Sequence, residues 1–247
     1  MTASMAALIL PATVAAAPNP KPGLSEILAE PPGGSYMEVQ PHTPGLLQGE
    51  FSAADYAASG GDFGTTIQTL HNDGFIGGFG RAWVQTAPNR VLVEIAVAFT
   101  GGTGAKKWLK QSQQGDLADP TFQHAISVDG IANYYGARMS DSNSYFADAF
   151  LFVKGNDGFL VSTISGADDL GDSAAIQTRI QYLRAPAYTI PPDGWPGARP
   201  ALFSMANAIA YAPLITVGLV AGAALTWLGI LVARRRHRRR GHLASGL

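Results

Sequence analysis

The stretch "SYFADAFLFVKGNDGFLVSTISG", residues 144–166, sets two apolar, β-rich runs on either side of Gly155, Asn156, Asp157 and Gly158. Those four are residue types that accept positive φ, so the chain is expected to reverse there in a tight antiparallel hairpin. Upstream, "FIGGFGRAWVQ" (75–85) and "RVLVEIAVAF" (90–99) flank "TAPN" and predict a second antiparallel pair. The second of these runs is β-branched and apolar, interrupted by Glu94. Downstream, "SAAIQTRIQYL" (173–183) spaces Ala174, Ile176, Ile180 and Leu183 at near-helical intervals, predicting a closing helix.

Helices are expected around this frame. "SEILAE" (25–30) begins on an N-cap serine and stops at Pro31 and Pro32. "SAADYAAS" (52–59) reads as a second short helix, and "TTIQTLHNDG" (65–74) as a third, ended by Asn72 to Gly74. "TGGTGAKKWLKQSQQG" (100–115) is a glycine turn entering an amphipathic helix with Trp108 and Leu109 inward. Hairpins interleaved with helices predict an α+β domain at 23–185, an antiparallel sheet with helices packed on it. Gly77, Gly78 and Gly80 in the first strand mark a bulge or close packing.

"GFIGGFGRAWVQ", a strand ending in Phe99, a glycine turn into an Ala/Lys helix and "FLFVKGNDGFLVSTIS" together resemble the membrane-anchored extracytoplasmic α+β domains of actinobacterial-type bacteria, several of them similar to the PsbP/Mog1 fold. The resemblance covers 75–183. Its motifs are structural, so it implies a fold and a location and no activity.

The rest of the chain addresses location. Residues 209–233, "IAYAPLITVGLVAGAALTWLGILVA", carry no charge over 25 residues. A helix of that length reaches roughly 37 Å, enough to cross a hydrocarbon core of about 30 Å. Pro213 falls near its start, while Tyr211 and Trp227 lie near its two ends, where amphipathic rings favour headgroups. Six arginines follow within seven positions: Arg234, Arg235, Arg236, Arg238, Arg239 and Arg240. Such a cluster beside an apolar span favours the cytoplasmic side and contacts anionic lipid, so a tail at 234–247 is expected inside and the domain outside. Gly218, Gly222, Thr226 and Gly229 line one small-residue face, on which a second copy could pack as a homodimer.

At the other end, 1–16 reads as a signal peptide, with Val14 and Ala16 small enough for the cleavage site. No Lys or Arg precedes Lys21, so either the terminal amine serves as the basic region or the true start lies upstream; an uncleaved stub is the alternative. Five prolines between 186 and 200 predict a semi-rigid stalk at 186–204.

The 18 acidic residues all precede residue 205, together with 11 of the 17 basic ones, so this part carries −7 and the tail +6. A head of that charge is a poor partner for nucleic acid, and none is expected. With no cysteine the chain is neither a lipobox lipoprotein nor disulfide-stapled, which with the signal and span suggests a bacterial envelope protein.

Catalytic patterns are few. "GGTGAKKW" has the strand–loop–helix setting of a phosphate loop but lacks its spacing, and reads as a plain βα turn. His42, His71 and His124 lack zinc spacing, and "GADDLGD" (166–172) lacks the alternation of a calcium loop, so no metal or cofactor is expected. Arg81 and Trp83, with Tyr134, Tyr135 and Arg138, are the candidate binding residues, because aromatics beside arginine are enriched at hot spots; core packing is the competing reading. The expected function is a non-catalytic extracytoplasmic binding or interaction domain whose partner is an envelope protein or glycan. An envelope hydrolase using His124 or His71 is the alternative, and a membrane sensor or accessory subunit the second.

Overall fold

The central hairpin forms where the sequence places it, between β7 (Tyr145–Lys154) and β8 (Asp157–Ser165), in a computed structural model that describes residues 18–33, 35–40, 46–59, 63–141 and 145–197. Its turn is tighter than the sequence implies. Gly155 alone takes the left-handed backbone, at φ 59°, while Asn156, Asp157 and Gly158 do other work.

β8 pairs on its other side with β4 (Asn89–Phe99), which pairs with β3 (Phe75–Thr86); all three pairings are antiparallel. β1 (Tyr36–Glu38) and β2 (Gly49–Phe51) both border β3. β6 (Tyr134–Asp141) and β5 (Phe122–Ala125) extend the far side, giving the order β1-β3-β4-β8-β7-β6-β5. The α+β expectation with an antiparallel sheet holds. A register shift between Phe75 and Gly77 is the expected bulge, and a side chain at Gly78 would strike the ring of Phe51.

Alternation gives each strand two faces. One face carries Val93, Val97, Leu151, Tyr135 and Met139, which pack with residues of α2 (Ala53–Ala58), α3 (Phe63–Asn72) and α4 (Gly102–Ala118). Trp108, 3% exposed, seats α4 on the sheet, and Gly158 leaves the room: a Cβ there would fall 2.5 Å from the indole. The indole N–H donates to the Tyr56 hydroxyl at 2.7 Å, and Leu109 is half-buried beside it.

The opposite face packs against α1 (Leu24–Ile27) and α5 (Ser173–Arg184), and here two expectations fail. α5 does not bury the apolar stripe: Ile176 and Leu183 are exposed, whereas Ala174, Gln177, Thr178 and Gln181 are buried. The cause is Glu94, the polar break in β4, which lies fully buried under the helix. Gln177 Nε2 donates to Glu94 Oε1 at 2.5 Å, and the Ala29 amide donates to Glu94 Oε2 and to Gln181 Oε1. A buried carboxyl must be hydrogen-bonded, so the helix turns its glutamines inward. The same network shortens the first helix: it ends at Ile27, and the Ala29 amide goes to those side chains instead of to a helical carbonyl.

Asn156 and Asp157, both fully buried, hold a strap formed by the residues after α5. Asn156 Oδ1 accepts from the Thr189 and Ile190 amides, and Asp157 accepts from the Thr189 amide and hydroxyl. Trp195 then donates from its indole to Ile190 O. Residues 185–196, most of them inside the segment read as a stalk, are therefore seated on the domain. Asn156→Ala is expected to raise amide exchange by about 100-fold at Ile190, which loses its acceptor, and by less at Thr189, whose amide keeps its bond to Asp157. Unchanged protection of those two amides would show that the strap does not depend on Asn156.

No helix among the described residues is long and apolar enough to cross a membrane. The expected signal (1–16), the span (209–233) with Gly218, Gly222, Thr226 and Gly229, and the arginine tail lie outside the described residues.

Candidate functional site

Residues that pair across an antiparallel sheet share a face, so the register places the charged groups. One row reads Glu38, Trp83, Leu92, Thr163, Asp148, Arg138, His124, from β1 to β5. Arg81 opposes Glu94 in the neighbouring row, and Arg90 opposes Gln85 and Ser165 in the row beyond. All these side chains belong to the face that carries α1 and α5.

Each of the three arginines on this face is held by carboxylates. Arg81 donates to both oxygens of Glu38, at 2.8 and 2.9 Å, and to Glu30 at 2.5 Å, with its guanidinium 4.8 Å from the Trp83 ring centroid. Arg138 makes a two-pronged pair with Asp148 and donates to Asp168 at 2.6 Å. Arg90 Nε lies 3.7 Å from Asp169. The hydrogen bonds they donate to Glu38 and Asp148 hold Arg81 and Arg138 firmly in the charged form, and the bond accepted from Arg81 draws Glu38 below the usual carboxylate range. Bidentate pairing fixes the guanidinium planes as well as their charge.

The five candidate residues therefore divide. Arg81 and Trp83 lie together on β3; Arg138 shares their face four strands away, roughly 19 Å at sheet spacing. Tyr134 is on the same face, with its hydroxyl accepting from the Val128 amide at 3.3 Å. Tyr135 points the other way, into the core under α4, where burial and then Asp116 push its hydroxyl well above its ordinary range. Core packing is the correct reading for Tyr135. Arg90, Asp148 and Thr163 complete the face and carry no local signal in the sequence, since their partners come from other strands.

The acidic run "GADDLGD" acts across this face. Asp168 and Asp169 pair with Arg138 and Arg90, and Leu170 between them and α5 is 1% exposed. Asp172 precedes α5 without a side-chain capping bond. Among the described residues no cluster of His, Asp and Glu converges as a metal site.

The other chemical candidates lie elsewhere. His71 on α3 and His124 on the β5 edge are both exposed, on separate elements. The loop resembling a phosphate site is occupied by the protein itself: a Cβ on Gly102 would lie 3.0 Å from the Trp195 ring, and one on Gly104 would strike Asp73 O. Lys107 is turned to Asp73 at 3.1 Å. A groove of about 490 Å³ between the N-terminal segment, β2 and the start of β3 is lined by Glu50, Asp55, Ile76 and Phe79 among others.

No protein family matches the chain, and no curated protein matches it. Among solved structures, the extracellular domain of PknH from Mycobacterium tuberculosis aligns with a TM-score of 0.43 and 12% identity, covering 65% of this chain and 94% of that one. The resemblance to PsbP/Mog1 domains is thus one of sequence pattern, without a family match behind it.

Proposed function

We propose that the chain is a single-pass envelope membrane protein whose α+β head, outside the membrane, is a non-catalytic binding module for an envelope protein or glycan. The observation that carries this reading is the arginine face. Two guanidiniums, of Arg81 and Arg138, are oriented by carboxylates on a rigid sheet, Arg81 stacked on Trp83, and Arg90 lies on the same face, with 17–20% of each arginine side chain still accessible. Pre-oriented arginines lose little freedom on binding, which is what a recognition surface needs. The apolar stretch 209–233 would anchor the head and the arginines 234–240 would lie against anionic lipid on the inner side.

Protease shaving of intact cells carrying a tag at each end of the chain tests the placement. The expected result is loss of the head with survival of the arginine tail. Protection of the head, with loss of the tail, would reverse the topology and remove the proposal.

A further inference from the structure

We propose that the arginine face contains a site for a ligand with two closely spaced anionic groups, phosphate or carboxylate, and that the carboxylates of Asp168 and Asp169 are an internal occupant which such a ligand displaces. This rests on the binding-module reading above and gives it a ligand class.

The loop has the composition of the ligand it would exclude. Two consecutive carboxylates, Asp168 and Asp169, reach Arg138 on β6 and Arg90 on β4, so the loop bridges across β8 and β7 between them. Under that bridge the fit is incomplete. Thr163, fully buried, has a hydroxyl with no hydrogen-bond partner, and Arg90 Nε is buried with Asp169 3.7 Å away but makes no hydrogen bond; beside the bridge, on β3, Gln85 Oε1 is also buried without one. Thr163 shares its row with Asp148 and Arg138, and Gln85 is the cross-strand neighbour of Arg90. Buried polar groups are normally satisfied, so these three belong to a surface built for something other than the loop. Two donors, the Thr163 hydroxyl and Arg90 Nε, suit an anion; the Gln85 amide supplies a donor if it rotates away from Ser35, to which Nε2 now donates at 3.0 Å.

The two carboxylates can swing aside while Leu170, 1% exposed, keeps the loop seated. Gly166 and Gly171 bracket it, Gly171 at φ 56°, and a side chain at either would meet nothing. Asp168 and Asp169 are 61% and 40% exposed, so their ion pairs are screened and cheap to exchange for an external anion. Asp148 stays behind as the buried partner that keeps Arg138 oriented.

The test measures calorimetric binding of inorganic pyrophosphate and of succinate to the full chain in non-ionic detergent. Three forms are compared: the unaltered sequence, D168N/D169N, and D168N/D169N with R90Q. Removing the internal carboxylates is expected to tighten at least one probe by about 10-fold or more, since a competing intramolecular anion is lost. Adding R90Q is expected to return the affinity to the starting level or below. Preference for pyrophosphate identifies a phosphate-bearing ligand and preference for succinate a carboxylate-bearing one. Equal affinities in the first two forms, binding by none, or binding that R90Q leaves intact would each overturn the proposal. Because both aspartates are exposed, D168N/D169N keeps the fold, which far-UV circular dichroism checks. The result does not depend on which side of a membrane the head occupies, so it fails or stands separately from the shaving experiment.

Discussion

The unfolding temperature of the head is expected to fall by about 6–12 °C between pH 5.5 and pH 8.5, a loss of about 3 kcal/mol. Two fully buried carboxyls, Glu94 and Asp157, and the half-buried Asp116 set this direction. Burial pushes Glu94 up to about 8, against hydrogen bonds from Gln177 and Ala29 and the attraction of Arg81, with Glu30 adding to the rise. Burial also pushes Asp116 up to about 7, helped by Asp119, and Asp157 up to about 7, against its bonds from Thr189. Each group holds its proton more tightly in the folded chain than in the unfolded one. Their contribution is therefore complete below the unfolded values near 4 and is lost as pH rises through 7 to 8. Glu38 and Asp55, both drawn downward, act only at the acid end. Glu94→Gln isolates the largest share: its amide can donate to the unpartnered Gln177 Oε1, so it should cost less than about 1 kcal/mol at pH 5.5 and flatten the slope. Glu94→Ala leaves the Gln177 amide only its longer bond to Glu30 O, and should cost about 2–4 kcal/mol at pH 5.5 and less at pH 8.5, where the wild-type carboxyl has already lost its contribution. Thermal melts that rise or stay level from pH 5.5 to 8.5 would contradict the assignment of these carboxyls.

Trp108→Ala is expected to destabilise the chain by about 3–5 kcal/mol, the largest effect of any single truncation considered. The indole fills the space between α4 and the sheet, lies tilted at 44° to the Phe99 ring with centroids 6.5 Å apart, and donates to Tyr56. Tyr56 is buried and its hydroxyl is pushed up to about 12, so it stays neutral and loses its bonded partner when the indole goes. Gly158→Ala should cost about 1–3 kcal/mol alone, because the new methyl enters the ring. In W108A/G158A that collision is gone, so chemical denaturation should give a double-mutant loss smaller than the sum of the two single losses. Strict additivity would show that the ring and the glycine are not in contact.

How much of this was legible depends on whether a residue's role is local. The β7–β8 hairpin was readable because two β-rich runs and a turn lie within one short stretch, and Trp108 was readable as the buried point of an amphipathic helix. α5 misled because its inward face is chosen by Glu94, some eighty positions earlier, and hydrophobic periodicity has no means of anticipating a helix that buries glutamines. β1, β2 and β5, at three or four residues, are too short to show alternation. Within the site, Arg81 and Trp83 stand two apart on one strand and so share a face. Tyr134 and Tyr135 are adjacent on one strand and cannot, a consequence of the two-residue period that composition alone obscures. The pairings of Arg90 with Asp169 and of Arg138 with Asp148 and Asp168 arise only when distant strands meet.

The Lys21 amide donates to Thr189 O at 2.9 Å, so the two ends of the described head meet within a single hydrogen bond. A polypeptide whose ends touch can be joined there and opened elsewhere, or spliced into a loop of a host protein with neither partner stretched. The head is in that sense a transferable cartridge, and one that needs no oxidising compartment to be carried into a new setting, since the chain has no cysteine to pair.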